Sequence, residues 1–153
     1  MKKFKYLIYL ITLNLSAQNP IIDEEVQQMF DKYVAYWSDG DYDRIASEVY
    51  TAPMSIYYQD GSTLILKNSI EIKNYLIATF EELERNNYGY SKRNGWQYFR
   101  RENNLAYIEM NYTRFLKDST IMKPIDRKSA YVLKKVNENF KITALIPFTA
   151  IAK

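Results

Sequence analysis

The sequence has no cysteine and no histidine, and only four glycines and four prolines in 153 residues. Without cysteine there is no disulfide, no thiol nucleophile, no thiolate metal site and no lipid-bearing N-terminal cysteine. Without histidine the usual near-neutral acid–base group is missing, and with it His-bearing triads and histidine metal sites. No metal and no cofactor are therefore expected, and any catalysis would rest on carboxylates, Tyr, Lys or Arg. The scarcity of glycine and proline, beside 47% hydrophobic residues, argues against disorder and against a solenoid. No internal repeat is visible.

A long apolar run is also missing. The uncharged stretch reaches only from Tyr6 to Ile22 and includes Thr, Asn, Ser, Gln and Pro, short of the ~20 predominantly apolar residues that span a bilayer. Preceded by Lys2, Lys3 and Lys5 and followed by Ser16-Ala17-Gln18, it has the basic, apolar and small-residue order of a secretory signal. The expected organisation is a signal peptide over 1–17 and one domain over 18–153, exported to a periplasm or outside the cell. Those three lysines are the whole charge excess, since the remaining 18 basic residues face 18 acidic ones. A neutral mature chain offers no electrostatic reason for a nucleic-acid partner or for membrane attachment.

Past the signal, Val26, Met29, Phe30, Tyr33, Val34 and Trp37 recur at helical spacing behind Asp23-Glu24-Glu25, and the helix stops at Gly40. Asp41 caps a second, shorter helix through Tyr42, Ile45, Ala46 and Val49, closed by Pro53. Met54 to Tyr58 and Thr63 to Leu66 flank Gln59-Asp60-Gly61-Ser62, a hairpin signal. Asn68, with Glu71 three residues on, begins a third helix running to about Asn86. Four strands follow, at about 90–101, 105–116, 127–136 and 140–147. In the second of these, Ala106, Ile108, Met110 and Tyr112 alternate with Glu109, Asn111 and Thr113, so one face packs and the other is wetter.

This order resembles the nuclear transport factor 2-like superfamily, which includes SnoaL-like cyclases and ketosteroid isomerases. The resemblance rests on Tyr33 to Ile45, with the Ser38-Asp39-Gly40-Asp41 corner, on Val49-Tyr50 and the hairpin, and on Lys134 to Ile142 as penultimate strand, turn and last strand. It implies an α+β, cystatin-like roll, a cone-shaped curved antiparallel sheet wrapped around helices, with a pocket between helix and sheet and dimerisation through the sheet. It also implies a test of activity. Tyr33 falls at the isomerases' oxyanion tyrosine, but the general-base position falls on Tyr58 and the second acid's strand on Tyr131 to Leu133, so neither carboxylate is present.

Asp60 could substitute as base, although an Asp before Gly61 is explained by the turn. A hydrolase-like set of Glu109, Arg114 and Asp126 is weakened by strand parity, because 109 and 114 point to opposite faces of a regular strand. The basic and aromatic run from Lys92 to Arg101 has the composition of a single-strand nucleic-acid binder, yet a neutral exported chain favours a sheet strand with solvated arginines. Fifteen tyrosines and two tryptophans supply rings with polar tips, suited to a pocket for small molecules or to a sheet surface.

The candidate ligand-binding residues are Tyr33, Tyr58, Trp96, Tyr112 and Tyr131. The function expected is non-catalytic binding of a small apolar, aromatic or amphiphilic ligand in a homodimeric protein. The alternatives are an isomerase, cyclase or hydrolase using Tyr33 with Asp60 or Glu109, and a ligand-free structural subunit. Export predicts that the mature protein begins at Gln18, which N-terminal sequencing checks; a retained Met1 on secreted material would overturn it.

Overall fold

The computed structural model describes residues 24–102 and 104–149, without the side chains of 100–102, 148 and 149. The signal-like segment over 1–17 lies outside these residues. The first helix, α1 (Glu24–Asp39), buries Val26, Phe30 and Tyr33 on the expected face. It ends because Gly40 takes φ of +70°, a left-handed conformation open to glycine. The Gly40 and Asp41 N–H groups then return to the Trp37 and Tyr36 carbonyls, the paired bonds that satisfy a helix C-terminus.

Asp41 caps the next turn as its carboxylate accepts from the Arg44 N–H at 3.0 Å. The short α2 (Tyr42–Arg44) passes directly into a π-helical turn over Ile45–Val49 that buries Ile45 and Val49. The chain turns into strand at Tyr50, so Pro53 lies inside β1 (Tyr50–Tyr57) rather than at a helix end. Strand β2 (Thr63–Leu66) completes the hairpin, with Gly61 at φ of +85° in its turn. Helix α3 (Ser69–Arg85) starts at the Asn68 cap, whose side chain accepts from the Glu71 N–H at 3.0 Å while Glu71 reaches back to the Lys67 N–H at 2.7 Å. This reciprocal arrangement settles two donors at a helix start.

Strands β3 (Tyr88–Glu102), β4 (Leu105–Leu116), β5 (Arg127–Val136) and β6 (Asn139–Thr149) then follow. All six strands form one sheet in the order β2-β1-β6-β5-β4-β3. Every join is antiparallel except that between β1 and β6, which is parallel. Gly89 lies three residues past the Asn86 cap at the α3 C-terminus. It sits in β3, where a Cβ would lie 2.7 Å from the Leu116 carbonyl oxygen, so glycine permits the close approach of β3 to β4.

The core lies between α1, α3 and the concave face of the sheet. Phe30 is fully buried and meets Tyr33, Trp96 and Tyr131 edge-on, at centroid separations of 5.8, 5.8 and 5.2 Å. Such edge-to-face pairs contribute about 0.5–1.5 kcal/mol each beyond area burial. Tyr33 and Tyr50 are buried beneath them and share a hydrogen bond at 2.9 Å.

Burial is the first cause that holds the Tyr33, Tyr50 and Tyr131 phenols well above their ordinary range. Below pH ~10 both folded and unfolded phenols are protonated and the stability they support is intact. As pH rises past that point the unfolded chain ionises while the folded one cannot follow, and stability falls. Urea unfolding should therefore weaken steeply above pH 10, and Tyr50→Phe should make that slope shallower by about 1.4 kcal/mol per pH unit.

Candidate functional site

Towards the C-terminal end of α1 the cone is not filled. A cavity of about 90 Å³ opens there, between α1, α3 and the inner face of β3, β4, β5 and β6. Each element supplies side chains by its own period. Helix α1 contributes Tyr33, Val34 and Trp37, spaced as one face of a helix, and α3 contributes Tyr75 and Thr79 in the same way. Strand β4 contributes Met110, Tyr112 and Arg114, every second residue, and β5 contributes Ser129 and Tyr131. Leu145 and Pro147 of β6 and Ser91 and Arg93 of β3 complete the wall.

Three of the five predicted site residues meet here. Tyr33 and Tyr131 form the floor, their rings edge-on at 5.7 Å, and both are almost entirely buried. Tyr112 is higher on the wall, its hydroxyl 3.5 Å from Ser129 Oγ. Trp96 shares the inner face but lies at the filled end of the cone, where Phe30 packs on its edge and the Arg93 guanidinium stacks over it at 4.2 Å. Tyr58 sits past the end of β1, 37% exposed, with its N–H donating to the Ser62 carbonyl. It reaches the cavity only through Tyr75, whose phenol is pushed up to about 12, first by burial and then by Tyr58.

Trp37, Tyr75, Ser129 and Arg114 are wall residues that the candidate set did not contain. Trp37 faces inward two helical turns past Phe30, meets the Phe80 ring at 4.6 Å, and turns its buried indole N–H toward the Tyr33 and Tyr50 hydroxyls without a well-aligned hydrogen bond. The signal for Arg114 was present in the β4 alternation: it is the next inward position after Tyr112, a charge continuing an apolar series.

Residues 23–150 match the family of NTF2-like proteins designated DUF6841. The chain belongs to that family. The solved structures similar to this NTF2-like chain include a cystatin-like-fold protein from Nostoc punctiforme, at 16% identity and TM-score 0.64, covering 83% of this chain and 76% of the other. Aln2 from a Streptomyces species is similar at 10% identity and TM-score 0.65, over 82% and 88% of the two chains. An NTF2-like protein from Novosphingobium aromaticivorans follows at 12% identity and TM-score 0.63, over 81% and 79%. Identities this low establish the shared fold alone. No curated protein matches the sequence.

In this NTF2-like cone the two carboxylates considered as bases lie elsewhere. Asp60 is in the hairpin turn, accepting from the Ser62 N–H at 2.9 Å and hydroxyl at 2.7 Å, and the hydroxyl bond is the first cause that lowers its pKa. Glu109 is on the outer face of β4, where it accepts from Tyr107 at 2.7 Å and from Lys128 at 3.1 Å; these two bonds, Tyr107 first, hold its carboxyl below the usual range. Strand parity had put Glu109 and Arg114 on opposite faces, and they are. The Lys92 to Arg101 run is the edge strand β3, in which Arg93 pairs with Asp31 at 2.7 Å and Lys92 is exposed. No group of three or more metal-ligating side chains occurs among the described residues.

Asp60→Asn and Glu109→Gln should therefore leave Trp37 emission unchanged and move the urea midpoint little, as expected of solvent-screened polar pairs. A changed Trp37 environment in either variant would bring that carboxylate back to the cavity.

Proposed function

We propose that this protein is an exported small-molecule-binding domain that holds its ligand in the cone cavity and does not turn it over. The observation that carries this reading is the unfilled cavity itself, walled by Trp37 and by the Tyr33, Tyr112 and Tyr131 rings, with the Arg114 guanidinium on its rim. Folded interiors are closely packed, and an unfilled space lined by rings and a few polar groups is the usual form of a small-molecule site. The Tyr112 and Ser129 hydroxyls and the Arg114 guanidinium on the cavity wall are donors for a ligand oxygen. The floor of tyrosine rings and the Leu145 and Pro147 wall supply apolar area for the rest of such a molecule.

Binding without turnover is supported by the composition of the wall. The cavity lining holds phenols, hydroxyls and arginines but no carboxylate, and general-base chemistry needs a base within about 2.6–3.2 Å of the proton it takes. The Tyr33 phenol is fully buried, bonded to Tyr50 and held well above its ordinary range, so it stays protonated as a donor and serves poorly as a base. Size supports a small ligand, since about 90 Å³ lies under the ~300 Å³ at which drug-sized sites begin. Export rests on the signal grammar of residues 1–17.

The two tryptophans separate the cavity from its surroundings, as Trp37 lines it and Trp96 does not. Titration of the full chain with benzoate, butyrate, benzamide and butyramide should change tryptophan emission in the wild type and in Trp96→Phe, but not in Trp37→Phe. If none of the four compounds alters Trp37 emission at millimolar concentration, the binding reading fails.

A further inference from the structure

The cavity wall carries a positive charge with nothing opposite it. Arg114 stands at the inward end of β4, and its guanidinium carbon is 5.8, 5.9 and 5.7 Å from the ring centres of Trp37, Tyr88 and Tyr112. Its Nε is buried with no hydrogen-bond partner. Among the described residues it forms no ion pair. Aromatic faces attract a cation but accept no N–H in the fork geometry a guanidinium offers.

The surroundings sharpen the imbalance. The other arginine of the wall, Arg93, is committed to Asp31 at 2.7 Å and to the Trp96 ring. Arg127 lies across the strand pair from Tyr112. It gives one N–H to the Lys123 carbonyl at 2.7 Å, while its own Nε is buried and unpaired. Its pKa is lowered first by burial and next by the charge of Arg114. Two like charges close enough to oppose each other, each with a buried Nε lacking a partner, stand beside the cavity. A partly buried cation without an anion is costly, and this arrangement is balanced when an anion enters.

We infer that the ligand is a small monocarboxylate, both its oxygens taken by the Arg114 guanidinium and its short apolar body lying against Tyr112, Leu145 and Pro147. Carboxylate matches the planar fork of a guanidinium in a bidentate way. A monoanion matches a wall with one uncommitted arginine, and the rings around it suit a hydrocarbon or aryl body better than a hydrated polyanion.

This inference rests on the binding reading above and is tested by the same full chain with charge as the variable. Benzoate and butyrate should bind at least tenfold tighter than benzamide and butyramide, and inorganic phosphate should compete weakly. Arg114→Gln should abolish that preference while leaving amide binding within about twofold, and Arg114→Lys should keep part of it. Without ligand, Arg114→Met should hold or raise Tm, because it removes an unpaired charge, while losing the Tm increase that benzoate gives the wild type over equal chloride. Amides binding as well as carboxylates, phosphate binding tighter than either, or an Arg114→Gln protein with unchanged carboxylate affinity would each overturn the inference and leave the binding reading standing. Failure of all four organic probes ends both.

Discussion

The edge-on contacts of Phe30 with Tyr33, Trp96 and Tyr131 set the distance between α1 and the sheet, and that distance decides where the cone can be empty. Phe30 brings the helix onto β3 and β5 together, so that end closes around large rings in their preferred geometry. Trp37 lies seven residues further on, about 10 Å along the helix axis at 1.5 Å per residue. There α1 stays bonded to the edge strand β3 through Ser38 and Ser91, and the space left between Val34, Trp37 and strands β4, β5 and β6 is the cavity. Tyr33, between the two, belongs to both regions: its ring packs against Phe30 and Trp37, and its hydroxyl is sealed against Tyr50.

Polarity in this cavity follows from strand parity rather than from any local motif. Alternation along β4 turns Ala106, Ile108, Met110, Tyr112 and Arg114 inward, and turns Tyr107 and Glu109 outward to meet Lys128. The same rule that builds an apolar floor therefore delivers a guanidinium to the rim and keeps the nearest carboxylate on the far side. Pairing with β5 sets Ser129 opposite Met110 and Tyr131 opposite Ile108, so hydroxyl and ring alternate by height. The lining that results is rich in donors and holds no carboxylate.

Much of the fold was legible because its signals are local. The apolar spacing from Val26 to Trp37, the Gly40-Asp41 corner, the Asn68 and Glu71 cap and the Asp60-Gly61 turn each act within a few residues, and each element formed where its signal stood. Two features were not local and were not legible. Whether the turn from Ile45 to Val49 closes with α or π bonding depends on how its buried residues seat against the core. The parallel join of β1 to β6 brings together segments some ninety residues apart, here Tyr50 with Ile142 and Ile56 with Leu145. No pattern within either strand records such a partner.

For the site, the sequence by itself determined the inventory: no thiol, no imidazole, an abundance of phenols, and the inward phase of β4 that includes Arg114. The family resemblance together with the strand and helix periods nominated Tyr33, Tyr58, Trp96, Tyr112 and Tyr131, of which Tyr33, Tyr112 and Tyr131 line the cavity. Only the tertiary structure decided which end of the cone is open, and so separated Trp37 from Trp96, which look alike in the chain. It alone left Arg114 without a carboxylate while giving Arg93 one. Ion pairing depends on distances across elements far apart in sequence, and those distances follow from ring packing in the core.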